Sequence, residues 1–371
     1  MAEFIEVFNH VKDFNFESVA VLDGWNSLII EECYYSCNTF ELVISLNKDN
    51  IQNFKPENIF DFEHCFYYID EVVSDAEGTT LTVRGRSLAG KYEGRVIDRI
   101  YTANKSPAQI VYDHFDQEMI HPGDYKDDTS NFPGANRVIE YLELASVTDL
   151  GLSKIDYQIS YQEVKQQVET LCQTYDFGFK ELASDEDIKN QIQIYKGRDL
   201  SDIVEISDDF DNLINVSYEH TTYDEKTVAY VFGEGEGNQR TKLVIGAEKK
   251  GLDRKELYVD AKDIQSKDFD SGQVIPVATY RNMLKDRAKQ KLAERVAILT
   301  MNGDIELNSK LFQFKKDFDV GDRIKLKSNL YQFAKIVTIV KAKKIYDSTG
   351  YYVELVFDKE TPTVFDILGR K

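Results

Sequence analysis

The sequence is poor in what a secreted, membrane-spanning or disulfide-built protein needs. Four cysteines (Cys33, Cys37, Cys65, Cys172) in 371 residues are too few for a disulfide scaffold and suit free thiols in a reducing compartment. No stretch approaches the roughly twenty apolar residues of a membrane span, so stable membrane insertion is not expected. The first twenty residues carry Glu3, Glu6, Lys12, Asp13 and Glu17, which interrupt the apolar core that a signal peptide requires. Synthesis and folding in a cytoplasm are expected. Positive charge is scarce as well: 45 Lys and Arg stand against 65 Asp and Glu, a net of −20. A duplex DNA binder needs the opposite balance to displace phosphate counterions. An acidic channel wall that repels DNA is compatible with it.

What the chain does have is aromatic surface. Tyr and Phe number 22 each against six Pro and one Trp, and both favour half-buried pleated surfaces, which leans the fold towards β structure. The 42 % apolar and 30 % charged residues leave no room for a long disordered tract. A length of 371 residues predicts two to four compact units rather than one core.

The first hundred residues read as strands. Phe40, Leu42, Ile44 and Leu46 share one face of Thr39 to Leu46, the period of two of a strand. Phe66 to Val73 and Thr79 to Arg84 bracket Asp75-Ala76-Glu77-Gly78, a hairpin signature. Near Tyr101 the pattern changes. Ser106-Pro107-Ala108-Gln109 supplies a capping serine, a proline at the first helical position and a reciprocal capping glutamine. After a loop from Pro122 to Gly134, Ser160-Tyr161-Gln162-Glu163 reads as a second capping box. Tyr161, Val164, Val168, Leu171, Cys172 and Tyr175 then line one helical stripe.

Strands return from Ile203, in Leu213 to Tyr218 and Val228 to Phe232, before the loop Gly233-Glu234-Gly235-Glu236-Gly237. A third helix fits Tyr280 to Val296, and the end of the chain alternates again in Arg323 to Lys327 and Val353 to Phe357. The order of blocks is an α+β pattern, predominantly β. No fixed-period repeat is evident. Between Lys310 and Ile345 ten Lys and Arg face three Asp, a net of +7 that leaves −27 on the remainder. Two readings stand: solvated outer faces of strands, or a basic module that docks against an acidic neighbour.

No catalytic constellation emerges. The Gly233–Gly237 loop lacks the lysine, hydroxyl and following helix of a phosphate cradle. Gly85-Arg86-Ser87-Leu88-Ala89-Gly90 has its second glycine one residue too far for a nucleophile elbow and reads as a strand running into a turn. Cys33, Cys37, His64 and Cys65 could be written as a zinc set. On a strand, however, Cys33 and Cys37 lie roughly 13 Å apart at ~3.3 Å per residue, too far for one tetrahedral ion. Asp208-Asp209-Phe210-Asp211-Asn212 lacks the glycine and closing glutamate of a calcium loop and reads as a helix start or polar turn. None of His10, His64, His114, His121 and His220 opens a helical zinc-protease motif. No catalytic, cofactor-binding or metal residue is therefore assigned, and no cofactor is expected.

Four blocks, taken in order, carry a resemblance. They are Val21-Leu22-Asp23-Gly24-Trp25-Asn26-Ser27-Leu28-Ile29-Ile30 with Tyr34-Tyr35 and Thr39-Phe40-Glu41-Leu42; Leu81-Thr82-Val83-Arg84-Gly85-Arg86-Ser87-Leu88; Gly233 to Gly237 with Arg240 and Gly251 to Asp263; and Asp317-Phe318-Asp319-Val320-Gly321-Asp322-Arg323. Spanning about residues 4 to 357, the chain resembles siphophage tail-hub proteins, including the N-terminal hub region of tail-associated lysins. The resemblance implies two similar β-barrel-like domains, set by three protomers in a pseudo-sixfold ring, and an α/β domain: a first barrel in 1–100, the α/β domain in 101–200, a second barrel in 201–235 plus 305–371, and an inserted domain in 236–304 with a helix at 280–296. It further implies a non-enzymatic homotrimeric ring that joins the distal tail protein to the tail tip and its receptor-binding proteins. Tape-measure protein and DNA would pass through its lumen, the DNA without specific binding. The place implied is the virion tail, assembled in the bacterial host cytoplasm. Lysins continue past the hub with a cell-wall-cleaving or fibrous extension, and the sequence ends at Lys371, so no lytic role is expected of this polypeptide. The alternatives are a cell-wall-degrading tail-tip enzyme and a receptor- or carbohydrate-binding tip protein.

Overall fold

Alternation in the sequence becomes alternation in burial. The computed structural model describes residues 4–11, 15–122, 134–184, 188–210, 212–267, 272–305 and 311–357. The first part of the chain forms β1 (Ile5–Val11), β2 (Asn15–Leu22), β3 (Ser27–Cys33), β4 (Thr39–Ser45), the short helix α1 (Lys48–Asn53), β5 (Ile59–Phe62), β6 (Cys65–Ser74) and β7 (Thr80–Ser87). In β4, Phe40, Leu42 and Ile44 are buried, as the period of two requires. The middle holds β8 (Val96–Lys105), α2 (Pro107–Phe115), β9 (Leu142–Leu144), β10 (Ile155–Glu163), α3 (Val164–Tyr175), β11 (Gly178–Ala183) and β12 (Asn190–Tyr195). There follow β13 (Glu205–Ser207), β14 (Leu213–Thr221), β15 (Val228–Phe232), β16 (Lys242–Ile245), β17 (Glu256–Asp260), α4 (Val277–Ala293), β18 (Ile298–Ile305), β19 (Arg323–Ser328), β20 (Phe333–Asp347) and β21 (Gly350–Phe357). The fold is α+β and predominantly β, and no helix among the described residues is long and apolar enough to cross a membrane.

Helix starts show where local signals win and where pairing overrides them. Ser106 caps α2 as its box predicts, with both reciprocal bonds present. The box at Ser160 does not form. Ser160 is paired with Ile100 in the β10–β8 ladder, which runs on to Glu163 opposite Val96. Tyr161 bulges out at φ +54°, and α3 starts only at Val164 with no side-chain cap. Strand pairing is non-local, and no capping box records it. Val164, Val168, Leu171 and Cys172 form the buried stripe, but Tyr161 is 69 % exposed. The third helix spans Val277–Ala293 and buries Tyr280, Leu284, Ala288 and Leu292; Val296 lies beyond its end. It packs on the sheet β16-β15-β17, a unit that begins at Val228, inside the segment assigned from sequence to the second barrel. Residues 123–133 of the loop expected from Pro122 to Gly134, Lys310 and Asp211 lie outside the described residues.

One sheet of thirteen strands runs through the molecule in the order β14-β18-β21-β20-β3-β4-β7-β6-β5-β1-β2, with β19 and β13 branching from β20. Within it the sequence hides a repeat. The path β3-β4-β7-β6-β5 recurs as β14-β18-β21-β20-β19, each member in the same chain order. Both copies carry a register shift at the same place, between Ile69 and Glu71 on β6 and between Ile339 and Lys341 on β20. The turns before β5 and β19 also agree bond for bond. Asn58 N donates to Lys55 O and Asp322 N to Asp319 O, both at 3.1 Å. Glu57 N donates to Ile69 O at 2.8 Å and Gly321 N to Ile339 O at 2.7 Å. Glu57 and Gly321 both sit at positive φ, +76° and +92°. Even the hairpin tips match, because Asp75 accepts from Thr79 N and Asp347 from Thr349 N, each at 2.7 Å.

Candidate assembly interface

The two repeats meet edge to edge. Lys341 to Asp347 of β20 pair antiparallel with Cys33 to Ser27 of β3, so strands more than three hundred residues apart close one sheet. Charge holds the seam. Lys341 Nζ lies 2.8 Å from Glu31, and Lys344 Nζ lies 2.7 Å from Glu32 and also binds Glu63. Lys315 reaches Glu32 from a neighbouring loop at 2.6 Å, and the Tyr346 hydroxyl donates to Glu63 at 2.6 Å. Burial alone would raise the Glu32 pKa, but Lys344 and Lys315 outweigh it and hold the carboxyl below its ordinary value. Burial likewise works against the Lys344 cation, and Glu32 and Glu63 reverse the effect and raise its pKa. Three lysines of the basic segment, Lys315, Lys341 and Lys344, thus dock on acids of the first repeat of the same chain. Lys325 adds a pair with Glu205 at 2.5 Å and Arg323 one with Asp199 at 3.4 Å.

Beside the seam, Tyr34 joins three parts of the chain. Its backbone N–H donates to Val340 O at 2.9 Å, its carbonyl accepts from Phe179 N at 3.3 Å, and its hydroxyl accepts from Gly197 N at 3.1 Å. The ring is buried between glycines: a Cβ on Gly178 would come within 2.4 Å of it and one on Gly321 within 2.5 Å. Tyr195 donates to Val320 O at 3.0 Å, and Arg198 forks onto Asp322, with Nη2 at 2.5 Å. The Asp317–Arg323 block is thus the turn that locks the second repeat to the α/β unit. A cleft of about 720 Å³ opens here, lined by Glu32, Glu63, His64, Lys180, Lys315 and Lys344 among others. In its wall Glu32, Glu63, Lys315 and Lys344 are bound to one another and form a cross-brace.

The other segments singled out in the sequence are scaffold too. Ser87 is fully buried and donates its hydroxyl to Glu181 of β11. Glu181 also accepts from Ala89 N and Asn190 Nδ2, both at 2.8 Å, and Asn190 in turn bonds both Phe66 N and Phe66 O. Burial pushes the Glu181 pKa up in spite of three donors. This network ties the first repeat to the α/β unit. Glu181→Ala leaves several buried donors without their acceptor, each worth about 1–3 kcal/mol. An expected loss of at least ~2 kcal/mol is to be read from urea unfolding, and a loss under ~0.5 kcal/mol would assign the network no structural weight.

In the Gly233–Gly237 loop, Arg240 Nε donates to Gly233 O at 2.8 Å and its Nη2 binds Phe232 O and Asp260. Arg254 likewise holds the carbonyls of Ala247 and Lys249. Burial pushes the Cys33 and Cys37 thiols up to about 11 and about 12. Among the described residues no group of three or more His, Cys, Asp or Glu gathers at metal-binding distance. His114 is buried between Tyr101 and Tyr157, and burial pushes its pKa down to about 3. Asp208 starts a 3-10 turn and accepts from Ser328 Oγ at 2.6 Å. Sequence reading placed Tyr34 in the first block without a role and missed Glu181 and the Glu32–Lys344 pair. The one available signal was a glycine at a strand start, Gly178, which marks close backbone approach.

Solved structures of the same fold include a tail protein and two prophage tail proteins. The tail protein from Neisseria meningitidis MC58 shares 14 % identity at a TM-score of 0.55, covering 99 % of each chain. Prophage tail protein gp18 from Listeria monocytogenes EGD-e shares 13 % at 0.53, over 99 % of this chain and 98 % of that one. The 43 kDa tail protein of prophage MuSo2 from Shewanella oneidensis shares 12 % at 0.54, over 96 % and 98 %. At such identities the likeness is one of fold. The chain belongs to the siphovirus ReqiPepy6 Gp37-like protein family, whose model matches residues 4–357, in agreement with the resemblance carried by the four sequence blocks. No curated protein matches it by sequence.

Proposed function

We propose that this protein is a structural, non-enzymatic subunit of a siphophage-type tail, a hub that forms a trimeric ring between the distal tail protein and the tail tip. The observation that carries the reading is the repeat: one protomer holds two copies of a five-strand unit, side by side in one sheet. Three such protomers supply six like units, the number that matches a sixfold tube above to a threefold tip below. The first unit lies within residues 1–100, the α/β unit within 101–200, and β18 to β21 complete the second unit, with residues from Val228 to the end of α4 inserted. The net charge of −20 suits a lumen through which tape-measure protein and DNA pass, because like charge keeps DNA from adhering. Assembly takes place in the host cytoplasm and the finished place is the virion tail.

The test is the solution mass by light scattering over a concentration series, with and without the distal tail protein of the same tail. Three times the chain mass, alone or on adding that partner, is expected. A monomer that ignores the partner sinks the ring and turns attention to glycan binding and cell-wall hydrolysis.

A further inference from the structure

The repeat leaves two edges unused. On β20 the half beyond the register shift pairs with β3. Its counterpart on β6, Glu71 to Ser74, pairs only with β7 among the described residues. At the other end of the sheet β14, the counterpart of β3, pairs only with β18 among them. Both edges are open to solvent: Asp70, Glu71, Val73 and Ser74 are exposed on β6, as are Ser217, Tyr218 and His220 on β14. Each presents apolar side chains, Val73 at 45 % exposure and Tyr218 at 40 %. Uncovered strands of this kind invite pairing.

We infer that the partner of these edges is a second copy of this chain, with β6 of one protomer pairing antiparallel with β14 of the next and reproducing between molecules the β20–β3 seam found within one. The inference rests on the ring reading above and adds its contact surface and register. The two edges differ and lie at separate places in the sheet, so the contact is heterologous and can close a ring. Seams within and between protomers then alternate around it.

Register follows from the repeat. Aligned through their hairpin partners, Ser74 takes the place of Lys344 and Tyr218 that of Ile30. Lys344 stands opposite Ile30 in the internal seam, so Ser74 stands opposite Tyr218 of the neighbour. By the same step Glu71, in the place of Lys341, stands opposite Thr221, in the place of Cys33. The seam between protomers is shorter than the internal one, because β6 turns at Asp75 while β20 runs on to Asp347. It also lacks the lysines of β20, so it is the weaker of the two and opens first.

Directly opposed residues of antiparallel strands lie within the Cα range of a disulfide, about 4.4–6.8 Å. The test therefore pairs Ser74→Cys with Tyr218→Cys, and separately Glu71→Cys with Thr221→Cys, which samples the other hydrogen-bonding kind of site. Each double variant of the full chain is oxidised under the conditions of the mass measurement and run on a non-reducing gel, with single variants as controls for the native cysteines. Expected is conversion of most of the monomer band to covalent dimer and trimer in at least one double variant and in neither single. Light scattering on the same samples separates the failures. A trimer by mass that never cross-links overturns the edge pairing and leaves the ring standing, whereas a monomer that neither associates with the partner present nor cross-links overturns both. Hydrogen exchange gives a second reading without substitution: within residues 71–74 and 218–221 the alternate amides that face away from β7 and β18 slow at least tenfold on association, and unchanged rates in a proven trimer count against the pairing.

Discussion

Lys344→Met is expected to cost about 3–5 kcal/mol of stability, the range for removing one partner of a buried ion pair. The methionine keeps the length of the stem, so the loss isolates the charge. Lys344 is buried with its ammonium 2.7 Å from Glu32 and in contact with Glu63, and the change leaves Glu32 with Lys315 as its remaining cation and Glu63 with the Tyr346 hydroxyl alone. Urea unfolding of wild type and variant measures the difference. A companion variant, Lys344→Met with Glu32→Gln, is expected to recover ~1–3 kcal/mol of the loss, the size of coupling seen between contacting residues. A single variant within ~0.5 kcal/mol of wild type would show that the seam is held by strand pairing alone.

The same pair sets a pH dependence with a definite sign. Glu32 is buried, which alone would raise its pKa, but Lys344 and Lys315 hold it below the ordinary glutamate value. A carboxyl whose folded pKa is depressed stabilises the fold above its unfolded value, near pH 4.3. That contribution is lost as pH falls through the folded value. In Lys344→Met burial acts with Lys315 as its main opponent, so Glu32 accepts a proton more readily in the fold. The deficit of the variant therefore shrinks as pH is lowered towards 4. A deficit that stays constant from pH 7 to pH 4 would place the charge cost elsewhere.

Period and capping made much of this fold legible, and partnership between distant segments did not. Alternation placed β4, β19 and β21, and Ser106 placed α2, because both signals live within a few residues. The repeat was implied only by the resemblance to tail-hub proteins and not by period or composition, because a strand constrains only alternate positions, and those only to be apolar. Phe60 and Phe62 of the first copy answer to Ile324 and Leu326 of the second, all four buried. The turn before them needs a left-handed residue, and one copy uses Gly321 while the other uses Glu57, so the usual glycine mark appears once. Charge counting did find the basic segment. What it could not give was the acidic partner, since Glu31, Glu32 and Glu63 look like any other carboxylates until β3 lies beside β20.

Gly197→Ala places a methyl group nearer to another atom than at any other described glycine and is expected to cost about 3 kcal/mol, the upper part of the usual range for overpacking. No flexible side chain stands in the way to be pushed aside. The added Cβ would fall 1.7 Å from the carbonyl oxygen of Gly321 and 2.1 Å from its carbon, so two backbones must separate. That movement also pulls Gly197 N from the Tyr34 hydroxyl and Arg198 from Asp322, whose bonds cross the same gap. Gly24→Ala and Gly94→Ala are the controls, since nothing lies within 4 Å of a Cβ at either position. Both are expected to stay within ~0.5 kcal/mol of wild type or to gain slightly through a less flexible unfolded chain. Thermal and urea unfolding of the three variants side by side decide the matter. Equal effects at all three positions would mean that Gly197 and Gly321 do not pack as close as this geometry requires. A loss confined to Gly197→Ala would establish that the α/β unit and the second repeat meet backbone to backbone with no room for a methyl group.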